Sequence, residues 1–400
     1  MPIYWLTGIH TWLTNEVFLP VTIAISGPRM KILWIPHTAW HISQRAHIFC
    51  RELADRHEVH VTDWVADFAS PRDYLSRRYG RNFFYRRFTD GAITVHGIPR
   101  FSPALFSPIL RHLNARIFSS YVQKIMDGYH IDGVVSTYVV SPPRARRLVF
   151  DLFDENGAGW QRRFPAYADE INQVEQAYLQ VSDAVVAASS VLVDKARANG
   201  CQKPIYLIPN GIDLARYEGS GGQTLRDRLS VKGFLVGSIA NHDQKEEVMK
   251  ILRAAKILSQ NDITFLIAGR GTAMAWAKKQ AAHQGLINLV FLGYISPGDL
   301  PEAALALDVG LCPYQQTAMD HARSPMRLLV YSAAGIPVVC TDLEEVRRMA
   351  FPNVILVKDD INAFVEGIRY ALQLPKGRPP QIAGYDGQTL AKMYESVLLD

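Results

Sequence analysis

Cysteine is scarce in this sequence, and Cys50, Cys201, Cys312 and Cys340 stand far apart. Such spacing excludes a disulfide-stapled fold, a Cys-x-x-Cys redox motif and a thiolate zinc site. A reducing cytoplasm is the expected compartment. The twelve histidines show no metal-ligand spacing, so no metal is expected. Long apolar runs are also missing: Val17 to Ser26 is short, follows Asn15 and Glu16, and has no basic segment before it, which argues against a spanning helix. No G-x-G-x-x-G follows a strand pattern with an acidic residue about twenty positions on, which argues against dinucleotide redox chemistry. Charge of one sign is modest. A net charge of +5 favours an anionic ligand or membrane surface without implying nucleic acid.

What is present is a chain of 400 residues, 48% hydrophobic and 20% charged, enough for two buried cores. Residues 1–29 differ from the rest and read as an extension or weak surface anchor, with a fresh start into a strand at Met30. From there short β-branched runs alternate with helix-period stretches, the pattern of parallel sheets flanked by helices. A first series runs KILWIP, EVHVTDW, AITVHGI, GVVSTYV, LVFDLF, AVVAAS and IYLIPN; a second runs FLVGSIA, TFLIAG, LVFLGY, VGLCPY, PVVCT and VILVK. Between them the glycine-dense stretch Arg216 to Gln223 reads as a linker or exposed turn. The expected fold is α/β, two doubly wound parallel-sheet (Rossmann-like) domains facing a cleft, spanning 30–212 and 213–378.

Ligands of such sheets bind beyond the C-terminal strand ends, so the loops there are the candidates for chemistry. LIAGRG places Gly269 and Gly271 around Arg270, as a ligand approach or an ordinary tight turn. Tyr294 and Tyr314 lie in the loops of FLGYISPG and VGLCPYQQ. In ARSPMRLLVYSAAGIPVVC, Ser324 reads as an N-cap and Pro325 as the first helical residue. Arg327 then falls in the first turn, where the helix dipole disfavours a cation by roughly 0.3–1 kcal/mol. FDLFDENGAG sets Asp151, Asp154 and Glu155 before an open glycine loop, as chemistry or as a structural acidic turn. The stretch Arg72 to Phe88 interleaves six arginines with six aromatics; it suits an RNA patch, a membrane-surface loop or an acceptor site, though no nucleic-acid module surrounds it.

The segments LIPNGIDLARY, FLIAGRG, VFLGYISPGDLPEAALALDVGLCPY and SPMRLLVYSAAGIPVVCTD resemble the nucleotide-sugar half of GT-B glycosyltransferases, particularly family 4-like enzymes of bacterial polysaccharide assembly. LVFDLFDENGAGW and VSDAVVAASSVLVDKA are similar to the acceptor half of related enzymes, including the xanthan glucuronosyltransferase type. The resemblance covers most of Met30 to about Leu374. It implies an N-terminal acceptor domain, a C-terminal nucleotide-sugar domain, and a helix over 379–400 crossing back to the first domain. It further implies transfer of a sugar from a nucleoside diphosphate donor, expected to be a UDP-sugar, with no cofactor and no metal. Positioned cations and a helix N-terminus must then neutralise the departing diphosphate. Arg327 is the expected clamp, with Met326, Ser324, Tyr314, Lys245, Gly269, Arg270, Tyr294 and Val330 around the donor. Val330 and Ala322 stand where family 4 enzymes carry glutamates that hold the ribose, a departure shared with the xanthan type. Arg323 and His321 suit a uronate partner or a flexible basic loop.

By the same resemblance Asp154 matches the general base of an inverting transfer. Arg45, His41 and Glu155 are expected near acceptor or phosphate, although a helix face explains Arg45 almost as well. Arg77, Arg78, Arg81, Phe83, Phe84, Arg86 and Arg87 are expected to face an anionic membrane, beside a lipid-linked sugar acceptor, with the protein peripheral at the inner face of the plasma membrane and no nucleic-acid partner. A retaining family 4-type transferase, a nucleotide-sugar epimerase and a non-catalytic donor-binding relative are the alternatives.

Overall fold

The computed structural model describes residues 28–40, 45–64, 83–101, 107–137, 141–161, 164–219 and 221–400. The β-branched runs form two sheets. The first contains β1 (Lys31–Ile35), β2 (Glu58–Asp63), β3 (Arg86–Asp90), β4 (Ile93–Gly97), β5 (Gly133–Ser136), β6 (Leu148–Leu152), β7 (Ala184–Ala187) and β8 (Ile205–Leu207). Their spatial order is β3-β4-β2-β1-β5-β6-β7-β8. The second contains β9 (Phe234–Asn241), β10 (Ile263–Arg270), β11 (Leu289–Gly293), β12 (Val309–Cys312), β13 (Val338–Thr341) and β14 (Val354–Val357), ordered β11-β10-β9-β12-β13-β14. Strand order reverses at β1 and at β9, so the crevices beyond their C-terminal ends are the natural ligand positions.

Each sheet is covered on both faces, which is why its strands read as near-continuous apolar runs. Ile32 and Trp34 enter one core of the first sheet, Leu33 and Ile35 the other. In the second sheet Leu235 and Val236 divide the same way. Gly310 sits where a Cβ would come within 2.4 Å of the Tyr331 ring, so the helix Met326–Ala333 lies close on β12 because that side chain is absent. All four cysteines are buried and free.

The strand patterns read from the sequence correspond to these strands except β3, which lies inside the arginine–aromatic stretch. It pairs antiparallel with β4 alone and has no fully buried residue, so it carries no hydrophobic alternation to read. The helix Pro108–Tyr129 was also hidden. Ser107 caps it through the Leu110 N–H at 3.3 Å, but the earliest of its buried residues is Phe118, so its first turns lack an apolar stripe.

A buried arginine connects the first domain to the end of the chain. Arg45 opens the helix Arg45–Ala54; its Nε donates to Asp151 Oδ1 at 3.2 Å, and Nη2 donates to the Ile208 carbonyl at 2.5 Å and to Tyr394 Oη at 3.3 Å. Tyr394 belongs to the C-terminal helix Gly387–Leu399, where it packs between Trp34 and Phe49 at centroid distances of 5.0 and 4.8 Å. That helix therefore lies on the first domain although it follows the second in sequence.

The two domains also meet directly. Glu345 Oε2 accepts from Ser190 Oγ at 2.7 Å and from the Val191 N–H at 3.1 Å, while Arg348 pairs with Asp194 at 2.6 Å. Asn210 donates its backbone N–H to Ser324 Oγ at 3.1 Å and its Nδ2 to the Ser324 carbonyl at 2.7 Å. This corrects the reading of Ser324 as an N-cap. Its hydroxyl is occupied by Asn210, Pro325 takes the cap position without a side-chain bond, and the helix begins at Met326. Arg327 is accordingly the second helical residue, not the third.

Removing one partner of a buried ion pair leaves the other charge uncompensated, at a cost of about 3–5 kcal/mol. Arg45→Met is therefore expected to lower the urea-unfolding free energy of the first domain by that amount, as a fall in midpoint at unchanged slope.

Candidate active site

The loop after β12, the helix Lys245–Ile257 that follows β9 and the start of helix Met326–Ala333 converge on Tyr314. Its ring is buried, and its backbone carbonyl accepts from Lys250 Nζ and Thr341 Oγ1, both at 2.8 Å. Two guanidinium groups lie over that ring, Arg327 at 4.4 Å and Arg323 at 5.0 Å from the centroid. Each has one carboxylate. Arg327 Nη2 donates to Glu247 Oε2 at 2.7 Å, and Arg323 pairs with Asp320 at 3.0 Å. Burial works against the charge on Arg327, but Tyr314 and Glu247 outweigh it and hold the group above the ordinary arginine range.

Both guanidiniums keep a buried donor without a hydrogen-bond partner among the described residues, Nη1 of Arg327 and Nε of Arg323. An unmatched buried donor costs about 1–3 kcal/mol. Two donors in one pocket, beside the free N–H groups of a helix N-terminus, form a place where an anion gains more than it loses.

Asp154 stands across the seam, in the loop after β6. The Glu155 N–H donates to its Oδ1 at 2.9 Å. Burial pushes the carboxyl up to about 6, against the pull of Arg323 from the other domain and of that hydrogen bond. Such a value suits a group that takes a proton near neutral pH. The short helix Ala318–Ala322 packs onto the helices Asn156–Gln161 and Ser190–Ala198 of the first domain. Gly159 permits this approach, since a Cβ there would meet Met319 Sδ at 3.0 Å.

The other expected residues divide between the pocket and its frame. Met326 is exposed at the helix start. Arg270 stacks on the exposed Tyr294 at 4.5 Å, and Lys245 lies exposed at the start of helix Lys245–Ile257, its ammonium 5.6 Å from the Trp276 ring. Gly269 and Gly271 are required by chain packing: at φ of 122° and 142°, a Cβ would strike the Ala240 oxygen at 1.8 Å and the His242 oxygen at 2.3 Å. Val330 is only 5% exposed and belongs to the same apolar core as Tyr314. Arg45 is held in the interior network described above. Glu155 is engaged by Lys195 at 2.8 Å, which also binds Glu175 at 2.6 Å.

On the β3 edge, Phe83 and Phe84 are exposed, Arg86 lies 4.0 Å from Asp63, and Arg87 donates to Tyr129 Oη at 2.8 Å. His41, Arg77, Arg78 and Arg81 lie outside the described residues, as do residues 1–27 of the expected extension. Glu247 and Asp320 were not foreseen as partners of the arginines. Glu247 does sit in the first turn of its helix, where a carboxylate is favoured, but nothing local connects it to an arginine 80 positions away.

Residues 232–373 match the family described as Glycosyl transferases group 1. A Bacillus subtilis protein named as a teichuronic acid biosynthesis glycosyltransferase, TuaH, is 28% identical over 188 residues, covering 46% of this chain and 46% of TuaH. Escherichia coli WcaI, named as a colanic acid biosynthesis glycosyl transferase, is 26% identical over 357 residues, covering 81% of this chain and 86% of WcaI. The chain thus spans about half of the first relative and most of the second. Among solved structures, a sucrose-phosphate synthase from Thermosynechococcus elongatus superimposes with a TM-score of 0.67 at 14% identity, covering 93% of this chain and 97% of that one. Anabaena HepE in complex with UDP and glucose gives 0.61 at 17% identity, with 93% and 96% covered. At these identities the likeness is one of fold.

The double variant Arg327→Met with Glu247→Gln removes both charges of the pair and keeps the pocket neutral. It is expected to weaken UDP binding by about 10- to 100-fold, the loss of one charged hydrogen bond of about 1.5–3 kcal/mol, read by titration calorimetry.

Proposed function

We propose that the chain, whose fold is of the GT-B type and whose relatives are named for polysaccharide biosynthesis, is a glycosyltransferase that moves a sugar from a UDP-sugar onto a lipid-linked oligosaccharide with inversion at the anomeric carbon. One observation carries the reading: the Asp154 carboxyl, raised toward neutrality in one domain, is acted on by Arg323 of the other, which shares the Tyr314 ring with Arg327, and both arginines keep an unmatched donor. An acid–base group and an anion pocket on opposite walls are what an acyl-free group transfer between two bound substrates requires.

In this reading the donor diphosphate lies between Arg327 and the N-terminus of helix Met326–Ala333, so guanidinium and helix dipole attract the same charge. The acceptor hydroxyl attacks the anomeric carbon from the side opposite the diphosphate. As the new C–O bond forms, Asp154 takes the hydroxyl proton, and the bond to the diphosphate oxygen breaks with its electron pair leaving on phosphate. Cationic side chains supply the charge stabilisation, so the reading needs no bound metal. The UDP preference is supported by the nucleotide bound in the Anabaena structure, and the glycan setting by the names of the two relatives. Ala322 and Val330 bring no carboxylate to the ribose. A conformationally different hold on the nucleoside follows.

Asp154→Asn is expected to lower the turnover of UDP release in the presence of acceptor by about 10²–10⁴-fold, the usual contribution of a positioned base. Near-normal turnover would rule out the base and favour a retaining reaction. The folded value near 6 sets the sign of the pH dependence, because the base must be deprotonated. Activity should therefore fall as pH drops through about 6.

Docking beside a lipid-linked acceptor is supported by the exposed edge of the first domain. Phe84 is 70% exposed and Phe88 lies on β3, while helix Pro108–Tyr129 adds Ile109 at 80% and Leu113. Among the described residues no helix is long and apolar enough to cross a membrane. The reading puts the protein peripherally at the inner face of the plasma membrane, where each basic residue near an anionic surface contributes about 1 kcal/mol. Flotation with phosphatidylglycerol liposomes should carry the protein upward at low salt and lose it at high salt; equal behaviour with neutral liposomes would reject the surface.

A further inference from the structure

We propose that Lys250 is a positioning residue for the donor: its ammonium ties the loops after β12 and β14 to the helix Lys245–Ile257, and so holds the Tyr314 ring and the two arginines over it where the diphosphate binds. The inference rests on the reading of that pocket as the donor site.

A lysine in the second turn of a helix ordinarily lies in water, but the side chain of Lys250 is only 17% exposed. Its Nζ donates to the Tyr314 carbonyl at 2.8 Å, has the Pro313 carbonyl at 3.5 Å and pairs with Asp359. An ammonium offers three N–H groups and no acceptor, so three oxygens from two loops use all of it. The second donor to the Tyr314 carbonyl is Thr341 Oγ1, at 2.8 Å, from the end of β13. Segments that end or follow β9, β12, β13 and β14, consecutive neighbours in the second sheet, are thus fastened at one ammonium and one carbonyl.

What this frame fixes is the ring of the same residue. Arg327 lies 4.4 Å and Arg323 5.0 Å from its centroid. Arg327 also donates to Glu247 Oε2 at 2.7 Å, and Glu247 precedes Lys250 by three residues, about one turn away on the same face of the same helix. One helix therefore grips both partners of Arg327, the carboxylate directly and the ring through its backbone carbonyl. The unmatched Nη1 of that guanidinium keeps its direction only while both partners hold still. Lys250 itself is a cation in the right domain to attract a phosphate, but the frame consumes its N–H groups. Its effect on the donor therefore passes through Tyr314.

The test is titration calorimetry of UDP into the full chain, with Kd and the number of sites read separately. Lys250→Met is expected to raise Kd by about 10-fold at an unchanged number of sites, within the roughly 10²-fold that an ångström of misplacement can cost. Lys250→Arg keeps the charge on a planar fork that cannot serve three separated oxygens as an ammonium does, so it should recover only part of the loss. In a Tyr314→Leu background, where the ring is gone, Lys250→Met should add little, because residues that act through one another are not additive. An unchanged Kd with fewer sites would mean that Lys250 serves folding alone, and a full further loss in the Tyr314→Leu background would make it a donor ligand; either result overturns the proposal. If Lys250→Met does not fold, as judged by its thermal midpoint, Asp359→Asn carries the test, with a smaller rise in Kd expected and an unchanged Kd counting against it. The double variant Arg327→Met with Glu247→Gln separates the two ideas. If it binds UDP normally, the donor-site reading fails; if it binds weakly while the Lys250 variants bind normally, only this inference fails.

Discussion

The Arg45–Asp151 ion pair, closed off from water at the C-terminal ends of β1 and β6, is the constraint on which the rest of the structure depends. A charge so deeply buried must find every partner it can. Arg45 does so by drawing together the helix after β1, the end of β6, the Ile208 carbonyl beyond β8 and Tyr394 of the C-terminal helix. Two strand ends are set by this arrangement: Asp151 lies near the end of β6, ahead of Asp154, and Ile208 follows β8, ahead of Asn210. A residue expected beside the substrate instead holds the floor beneath it.

Asn210 carries this arrangement across the seam. Its bonds to Ser324 fix the entrance of helix Met326–Ala333, and that entrance sets Arg327 on the Tyr314 ring. Two arginines at one aromatic ring repel each other, each is offset by a carboxylate, Asp320 or Glu247, and each still keeps a buried donor unmatched. The pocket is thus stable enough to fold and electrostatically unfinished, a combination expected at a site that must take up an anion and release it. Polar contacts such as Glu345 on the start of helix Ser190–Ala198 belong to the described seam, as is usual between domains of one chain.

Much of the fold was legible because both sheets are covered on two faces, and runs such as KILWIP and TFLIAG carry that burial in their composition. β3 escaped because an edge strand with one partner needs no apolar face, and helix Pro108–Tyr129 because its first turns face away from the core. At the site, Asp154 and Arg327 were legible from their neighbours in sequence, one in an acidic glycine loop and the other at a helix start that disfavours cations. Ser324 was misread because a serine before a proline suits a cap equally well whether or not another domain claims its hydroxyl. The glycines of LIAGRG were ambiguous for a related reason: close approach to a ligand and close approach to the next loop demand the same missing side chain.

The sequence by itself determined most of the elements, their parallel doubly wound class and the residue types at the strand ends, because periodicity is a local property of the chain. Only the tertiary structure decided which charges meet. Arg327 with Glu247, Arg323 with Asp320, and Glu155 with Lys195 join residues that are distant in sequence, or whose side-chain directions depend on packing, and Coulomb attraction between them acts over a few ångströms that only the folded chain can set.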